Sequence, residues 1–95
     1  MSMVVIRKAE RSDAPILARI AYDAWATGIL PLLKERPGMR QAEQRRLTLA
    51  VGETLERIVV AEIDGVAVAW CSRARGRAYI PFLFVMPELQ SQGIG

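Results

Sequence analysis

The segment between residues 58 and 72 constrains the fold of this chain more strongly than any other. Ile58–Ile63 is mostly β-branched, and Val66–Ser72 follows with a similar apolar pattern. The two residues between them, Asp64-Gly65, are typical of the two-residue type I′ turn, in which both positions need a positive φ. The sequence therefore predicts a β-hairpin and a fold that contains an antiparallel sheet.

A third strand is predicted after this hairpin. Residues 73–77 form a basic loop, and residues 78–85 are again apolar. Pro87 ends this strand, because proline has no amide hydrogen to donate to a sheet. Three strands are thus expected in the second half of the chain.

The first half of the chain predicts one strand and two helices. Residues 4–7 begin with three β-branched side chains and predict a strand, and Asp13 and Pro15 are suited to begin a helix that ends near Gly28. A second helix is expected over residues 41–56, which gives the order β-α-α-β-β-β. The side chains expected to face inward are Ile16, Leu17, Ile20, Ala21 and Ala24 in the first helix and Leu47, Ala50, Val51 and Leu55 in the second.

Composition limits the class of protein. The 95 residues, of which 52% are apolar and 24% charged, suit a single globular domain over residues 1–95. The net charge of +3 comes without a long basic run, so no nucleic-acid partner is expected, and no apolar run predicts a membrane span. The chain has one cysteine, Cys71, and no histidine, so we expect a cytoplasmic protein that uses no metal.

The last residues carry the clearest functional pattern. Gln90-Ser91-Gln92-Gly93-Ile94-Gly95 follows the third strand of the second half and its proline exit. Glycines allow the main chain to approach a ligand closely, and converging amide groups donate hydrogen bonds to phosphate oxygens. This spacing suits a diphosphate, although a flexible glycine-rich tail has the same short pattern.

Together these features resemble the GCN5-related N-acetyltransferase (GNAT) family. The residues that carry the resemblance are Val85, Pro87, Gln90, Gly93, Ile94 and Gly95, and the hairpin at Asp64-Gly65 matches the second and third strands of that family. The resemblance covers the whole chain. It implies an α/β protein with the N-terminal half of the GNAT (acyl-CoA N-acyltransferase) fold, in which two helices cover one face of a mixed, mainly antiparallel sheet.

The resemblance also implies a co-substrate, acetyl-CoA, and roles for particular residues. The amide of Leu83 would donate to the thioester carbonyl and stabilise the charge that develops there, and Phe84 and Val85 would pair with or line the pantetheine arm. The diphosphate would be held by Gln90, Ser91, Gln92, Gly93, Ile94 and Gly95. A primary amine would then attack the thioester directly.

The general base is not assigned by this resemblance. Many family members have a glutamate four residues before the position of Leu83, where this chain has Tyr79. The phenol of tyrosine has a pKa near 10, so Tyr79 is expected to contact the substrate rather than to act as a base. Glu62 is an alternative base that would act through water, but a glutamate on an alternating strand more commonly faces solvent.

The acceptor of the acetyl group is expected to be a small-molecule or peptide amine. The resemblance implies that Tyr22, Trp25, Ile29 and Leu30 wall its site, with ordinary packing as the alternative interpretation. Trp70 and Cys71 are expected to be buried in the core.

Family members continue beyond the loop with further helices and strands that this chain does not show. We therefore expect a truncated domain with little or no turnover, whose exposed strand edge favours a homo-oligomer. Two alternatives to the transferase remain open at this point: a non-catalytic module that binds acyl-CoA, and a purely structural species that associates through its strands.

Overall fold

The computed structural model of the chain describes residues 3–73 and residues 82–85. The predictions for Tyr79, for Pro87 and for the loop from Gln90 to Gly95 concern residues outside these ranges.

Four strands form one sheet in the order β1-β2-β3-β4: β1 is Val4–Lys8, β2 is Ile58–Ile63, β3 is Val66–Ser72 and β4 is Phe82–Val85. Each neighbouring pair is antiparallel. The described part of the sheet is thus wholly antiparallel, and the parallel pairing that a mixed sheet implies is not found among these four strands.

The predicted hairpin is confirmed. Asp64 and Gly65 have φ values of 52° and 80°, and the strands that flank them pair from Ile63↔Val66 onward. The register shifts between Ala61 and Glu62, so Ala61 lies opposite Ala69 while Glu62 lies opposite Ala67. A bulge of this kind locally increases the twist of the sheet.

Two helices precede the hairpin: α1 is Ala14–Gly28 and α2 is Met39–Thr54. Pro15 lies in the first turn of α1 and Gly28 is its last residue, as predicted. Helix α2 begins two residues earlier than predicted, because Gly38 takes a left-handed conformation with φ of 80° directly before it. Short 3-10 turns, Arg11–Asp13, Leu30–Leu32 and Leu55–Arg57, join these elements.

The core lies between the helices and one face of the sheet. Trp70 is buried in it, and its indole nitrogen donates to the main-chain oxygen of Leu17 at 2.8 Å. Ile16, expected to face inward, is 39% exposed, because it lies beside the buried stripe of α1 rather than on it. The buried members are Leu17, Ile20, Ala21, Leu47, Val51, Ile58, Val60, Ala67 and Trp70.

Helix α1 is held to several strands of the sheet. Its start is joined to β1 by Asp13, which pairs with Arg7, and Leu17 in its first turn is joined to β3 through Trp70. Helix α1 also lies against β4. Helix α1 therefore packs on the part of the sheet formed by β3 and β4 as well as being tied to β1.

None of the helices within residues 3–73 has the length and apolar composition of a membrane-spanning segment.

Candidate functional site

Strand β4 is the last strand of the described sheet. It pairs with β3 so that Leu83 lies opposite Cys71 and Phe84 lies opposite Trp70. Its other edge faces no strand among residues 3–73. Successive residues of a strand direct their amides to opposite edges, so Leu83 and Val85 share one edge and Phe84 uses the other.

Residues outside the described ranges complete the predicted site. Tyr79 and the predicted diphosphate ligands Gln90, Ser91, Gln92, Gly93, Ile94 and Gly95 all belong to this group. Their roles stay predictions, as does that of the Leu83 amide.

The aromatic residues predicted to wall an acceptor site lie together on α1. The rings of Tyr22 and Trp25 have their centres 5.8 Å apart and are inclined by 41°. Both side chains are half-buried, which leaves part of each ring at the surface. Helix α1, which carries this pair, contacts β4, the strand of Leu83.

The two aliphatic residues of the predicted wall differ in exposure. Ile29 is 49% exposed, whereas Leu30 is only 6% exposed. Leu30 therefore offers little surface to a ligand and its packing resembles that of a core residue, while Ile29 remains accessible.

An ion pair at the start of α2 was not anticipated from the sequence. The guanidinium of Arg40 donates from Nε to Glu35 Oε2 at 2.7 Å and from Nη2 to Glu35 Oε1 at 3.1 Å. The Glu35 carboxylate, and then the Tyr22 hydroxyl, hold the pKa of Arg40 above its ordinary value. Arg40 thus neutralises Glu35 beside the aromatic pair. The only signal in the sequence is two opposite charges five residues apart.

A second unanticipated network joins β1, β2 and the start of α1. Arg7 donates to both carboxylate oxygens of Asp13, at 2.8 and 2.9 Å, and to Glu62 Oε2 at 3.0 Å. The hydrogen bonds from Arg7, and a further one from the Glu10 amide, lower the pKa of Asp13 to about 2. Asp13 lies at the N-cap position of α1, as predicted, but its carboxylate accepts from Arg7 and from the Glu10 amide, which precedes the helix, and from no amide of α1.

This network bears on Glu62, the alternative base. Its side chain is 20% exposed and is paired with Arg7 rather than free in solvent. Its carboxylate accepts a hydrogen bond from Arg7 Nη2 at 3.0 Å, which holds it at the junction of β1 and β2. Glu62 is therefore better explained as a structural residue.

The last two residues of β3, Cys71 and Ser72, differ in burial. Cys71 is half-buried, so the prediction that it is buried in the core is wrong. Ser72 is buried, and its hydroxyl has no hydrogen-bond partner among the described residues. Cys71 lies opposite Leu83 and Ser72 opposite Phe82, so both flank β4.

Metal ligation finds no support in the described part of the chain, since residues 3–73 and 82–85 contain no group of three or more His, Cys, Asp or Glu side chains that could hold an ion.

Comparison with known proteins identifies the fold. No protein-family model and no curated protein sequence matches the chain. Among solved structures, apo-form YjaB from Escherichia coli superposes with a TM-score of 0.77 at 16% identity, over 98% of this chain and 59% of that one.

Two further similar structures were determined with acetyl-CoA or coenzyme A bound. A GNAT family acetyltransferase from Brucella melitensis in complex with acetyl-CoA gives a TM-score of 0.62 at 20% identity, over 97% of this chain and 60% of that one. PaiA N-acetyltransferase from Thermoplasma acidophilum in complex with coenzyme A gives 0.66 at 18% identity, over 97% and 64%. The chain therefore has the GNAT fold and spans about three fifths of the length of these structures.

Proposed function

We propose that this chain is the acetyl-CoA-binding part of an N-acetyltransferase that acts on a primary amine, and that residues 1–95 belong to one domain. The observation that carries the proposal is the position of β4. Its outer edge faces no strand among the described residues, in a fold that other proteins use to bind acetyl-CoA or coenzyme A. A cytoplasmic location belongs to the proposal, because one cysteine allows no intrachain disulfide.

The proposed chemistry is direct transfer. The amine nitrogen attacks the thioester carbonyl, a C–N bond forms, the C–S bond breaks and the thiolate of coenzyme A leaves. The amide of Leu83 donates to the carbonyl oxygen, where negative charge develops in the transition state. Phe84 and Val85 align the pantetheine arm, which binds along the strand as a further strand would.

The remaining roles belong to residues outside β4. Gln90, Ser91, Gln92, Gly93, Ile94 and Gly95 hold the diphosphate, and Tyr79 contacts the acceptor. Because Glu62 is paired with Arg7, the amine loses its proton to water rather than to Glu62. Tyr22, Trp25 and Ile29 line the acceptor side.

The same edge of β4 supports a second candidate, a non-catalytic module that binds acyl-CoA. An edge that binds pantetheine can do so without turnover, and it can also pair with a second copy of the chain. Calorimetry with coenzyme A together with an acetylation assay separates these cases, since binding without thiol release favours the module.

The proposal is tested on the complete gene product with leucine, phenylalanine and valine labelled by 15N. Coenzyme A should shift the amide signals of Leu83 and Val85 more than that of Phe84, which uses the opposite edge of the strand. Gly93→Ala should weaken coenzyme A binding at least tenfold, whereas Gly52→Ala in α2 should leave binding unchanged. The proposal is wrong if coenzyme A leaves β4 unperturbed.

A further inference from the structure

The connection between the two helices is unusually apolar for an exposed segment. Leu32 is 81% exposed, Ile29 49% and Leu33 45%. Together with the accessible parts of Tyr22 and Trp25, they define what we call the connection surface. Apolar side chains grouped in this way on a surface commonly mark a binding site.

The carboxylates near this surface are already paired. Glu35 is held by Arg40 through two hydrogen bonds, and Asp23 on α1 lies 3.4 Å from the guanidinium of Arg19. No other acidic residue occurs between residues 22 and 40. Within residues 22–40, no carboxylate is left unpaired to attract a polycation.

The unpaired charges at the same place are positive. Lys34 and Arg36 are exposed, and neither forms an ion pair within the described part of the chain. They flank Glu35 and directly follow Leu33. Two cations beside an apolar surface attract an anion and repel a molecule that carries several positive charges.

We infer, on the basis of the proposed function, that the acceptor carries a carboxylate and an apolar side chain beside its primary amine, as apolar α-amino acids do. The apolar body packs on Ile29 and Leu32 while the carboxylate lies near Lys34 and Arg36. The amine then attacks the acetyl carbon, and a C–N bond forms as the C–S bond breaks. The nitrogen loses one proton for each coenzyme A thiolate released, so charge is conserved. Polyamines and aminoglycosides are disfavoured by the same two cations.

The inference is tested on the complete gene product with three amines: phenylalanine, phenethylamine, which lacks only the carboxylate, and spermidine. Release of the coenzyme A thiol gives kcat/KM for each. Phenylalanine should exceed phenethylamine at least tenfold, and spermidine should be the poorest acceptor. Salt should raise the KM for phenylalanine and leave that for phenethylamine nearly constant, since screening weakens exposed charge interactions.

The two aromatic amines differ in basicity as well as in charge. Two double variants therefore test whether the preference for phenylalanine depends on Lys34 and Arg36. In the double variant Lys34→Ala, Arg36→Ala, the kcat/KM for phenylalanine divided by that for phenethylamine should fall at least fivefold. The matched control is Lys8→Ala with Arg45→Ala, which removes two exposed cations elsewhere and should leave the ratio unchanged. Circular dichroism and coenzyme A affinity should be the same in both variants.

The outcomes separate this inference from the proposed function. Thiol release that is fastest with spermidine, or a ratio that the first variant leaves intact, overturns the inference while the transferase stands. If coenzyme A does not bind and no amine releases thiol, the proposed function is wrong and the inference is overturned with it.

Discussion

Asp13 accepts three hydrogen bonds, two from Arg7 and one from the Glu10 amide at 2.6 Å. These donors lower its pKa from 3.8 to about 2. A group whose pKa is lower in the folded state stabilises the fold above its unfolded pKa, and this contribution is lost as the pH falls. The stabilisation is thus complete above about pH 4 and disappears towards pH 2, and it amounts to about 2 kcal/mol.

We therefore expect Asp13→Asn to lower the free energy of unfolding by about 2 kcal/mol at pH 7. The difference from the wild type should shrink as the pH approaches 2. Urea unfolding followed at several pH values measures this. Glu53→Gln, at an exposed position of α2, is the control and should have little effect at any pH. A deficit in Asp13→Asn that does not change with pH would contradict the account.

Ser72 gives a prediction of the opposite sign. Its hydroxyl is buried without a partner among the described residues, and an unpaired buried polar group costs about 1–3 kcal/mol. We expect Ser72→Ala to leave stability unchanged or to raise it by up to about 1 kcal/mol. Trp70→Phe, which removes the hydrogen bond to Leu17, should destabilise the protein. Thermal unfolding of both variants measures these changes. A clear loss of stability in Ser72→Ala would contradict the prediction and show that the hydroxyl forms a hydrogen bond.

At the scale of the elements, two glycines form a matched pair. Gly65 in the hairpin turn has φ of 80°, whereas Gly52 lies inside α2, and a Cβ atom at either position would meet nothing within 4 Å. The substitutions therefore differ in backbone conformation rather than in space. Gly65→Ala should destabilise by about 1 kcal/mol and Gly52→Ala should stabilise by a similar amount. Denaturant unfolding measures both, and equal signs would contradict this explanation.

The elements that sequence patterns predicted well are those set by local chemistry. Asp64-Gly65 determines its own turn, and the residues around Pro15 and Gly28 determine the ends of α1. What sequence patterns could not give are contacts between distant residues, such as Arg7 with Glu62, which lie 55 positions apart. Asp13 is an example. Its position suits a helix cap, but its carboxylate instead accepts hydrogen bonds from Arg7 on β1.

The candidate site divides in the same way. The strand that carries Leu83 followed from an apolar run and a proline, and the fold confirmed it as a strand beside β3. The pairing of Glu35 with Arg40 did not follow, because Glu35 precedes α2 while Arg40 lies in its first turn, so no helical spacing relates them. This pairing leaves Lys34 and Arg36 as the unpaired charges of the described connection between the helices.

At the scale of the whole molecule, the described sheet has two edges of different character. On β1, Val4, Val5 and Ile6 are exposed, but Arg7 and Lys8 follow them, and charged side chains on an edge oppose pairing with another chain. Strand β4 forms the other edge, and its sequence, Phe82-Leu83-Phe84-Val85, has no charged residue. Of the two, β4 is the edge suited to pair with another strand.

We therefore expect the polypeptide of residues 1–95 to self-associate through β4 at micromolar concentration, and coenzyme A to dissociate the assembly because it uses the same edge. Light scattering with and without coenzyme A measures this. Ile6→Lys, which places a further charge on β1, should not alter the association. A strict monomer at high concentration would contradict the prediction. Association that persists in coenzyme A and is lost in Ile6→Lys would assign the interface to β1 and leave β4 free for the thioester.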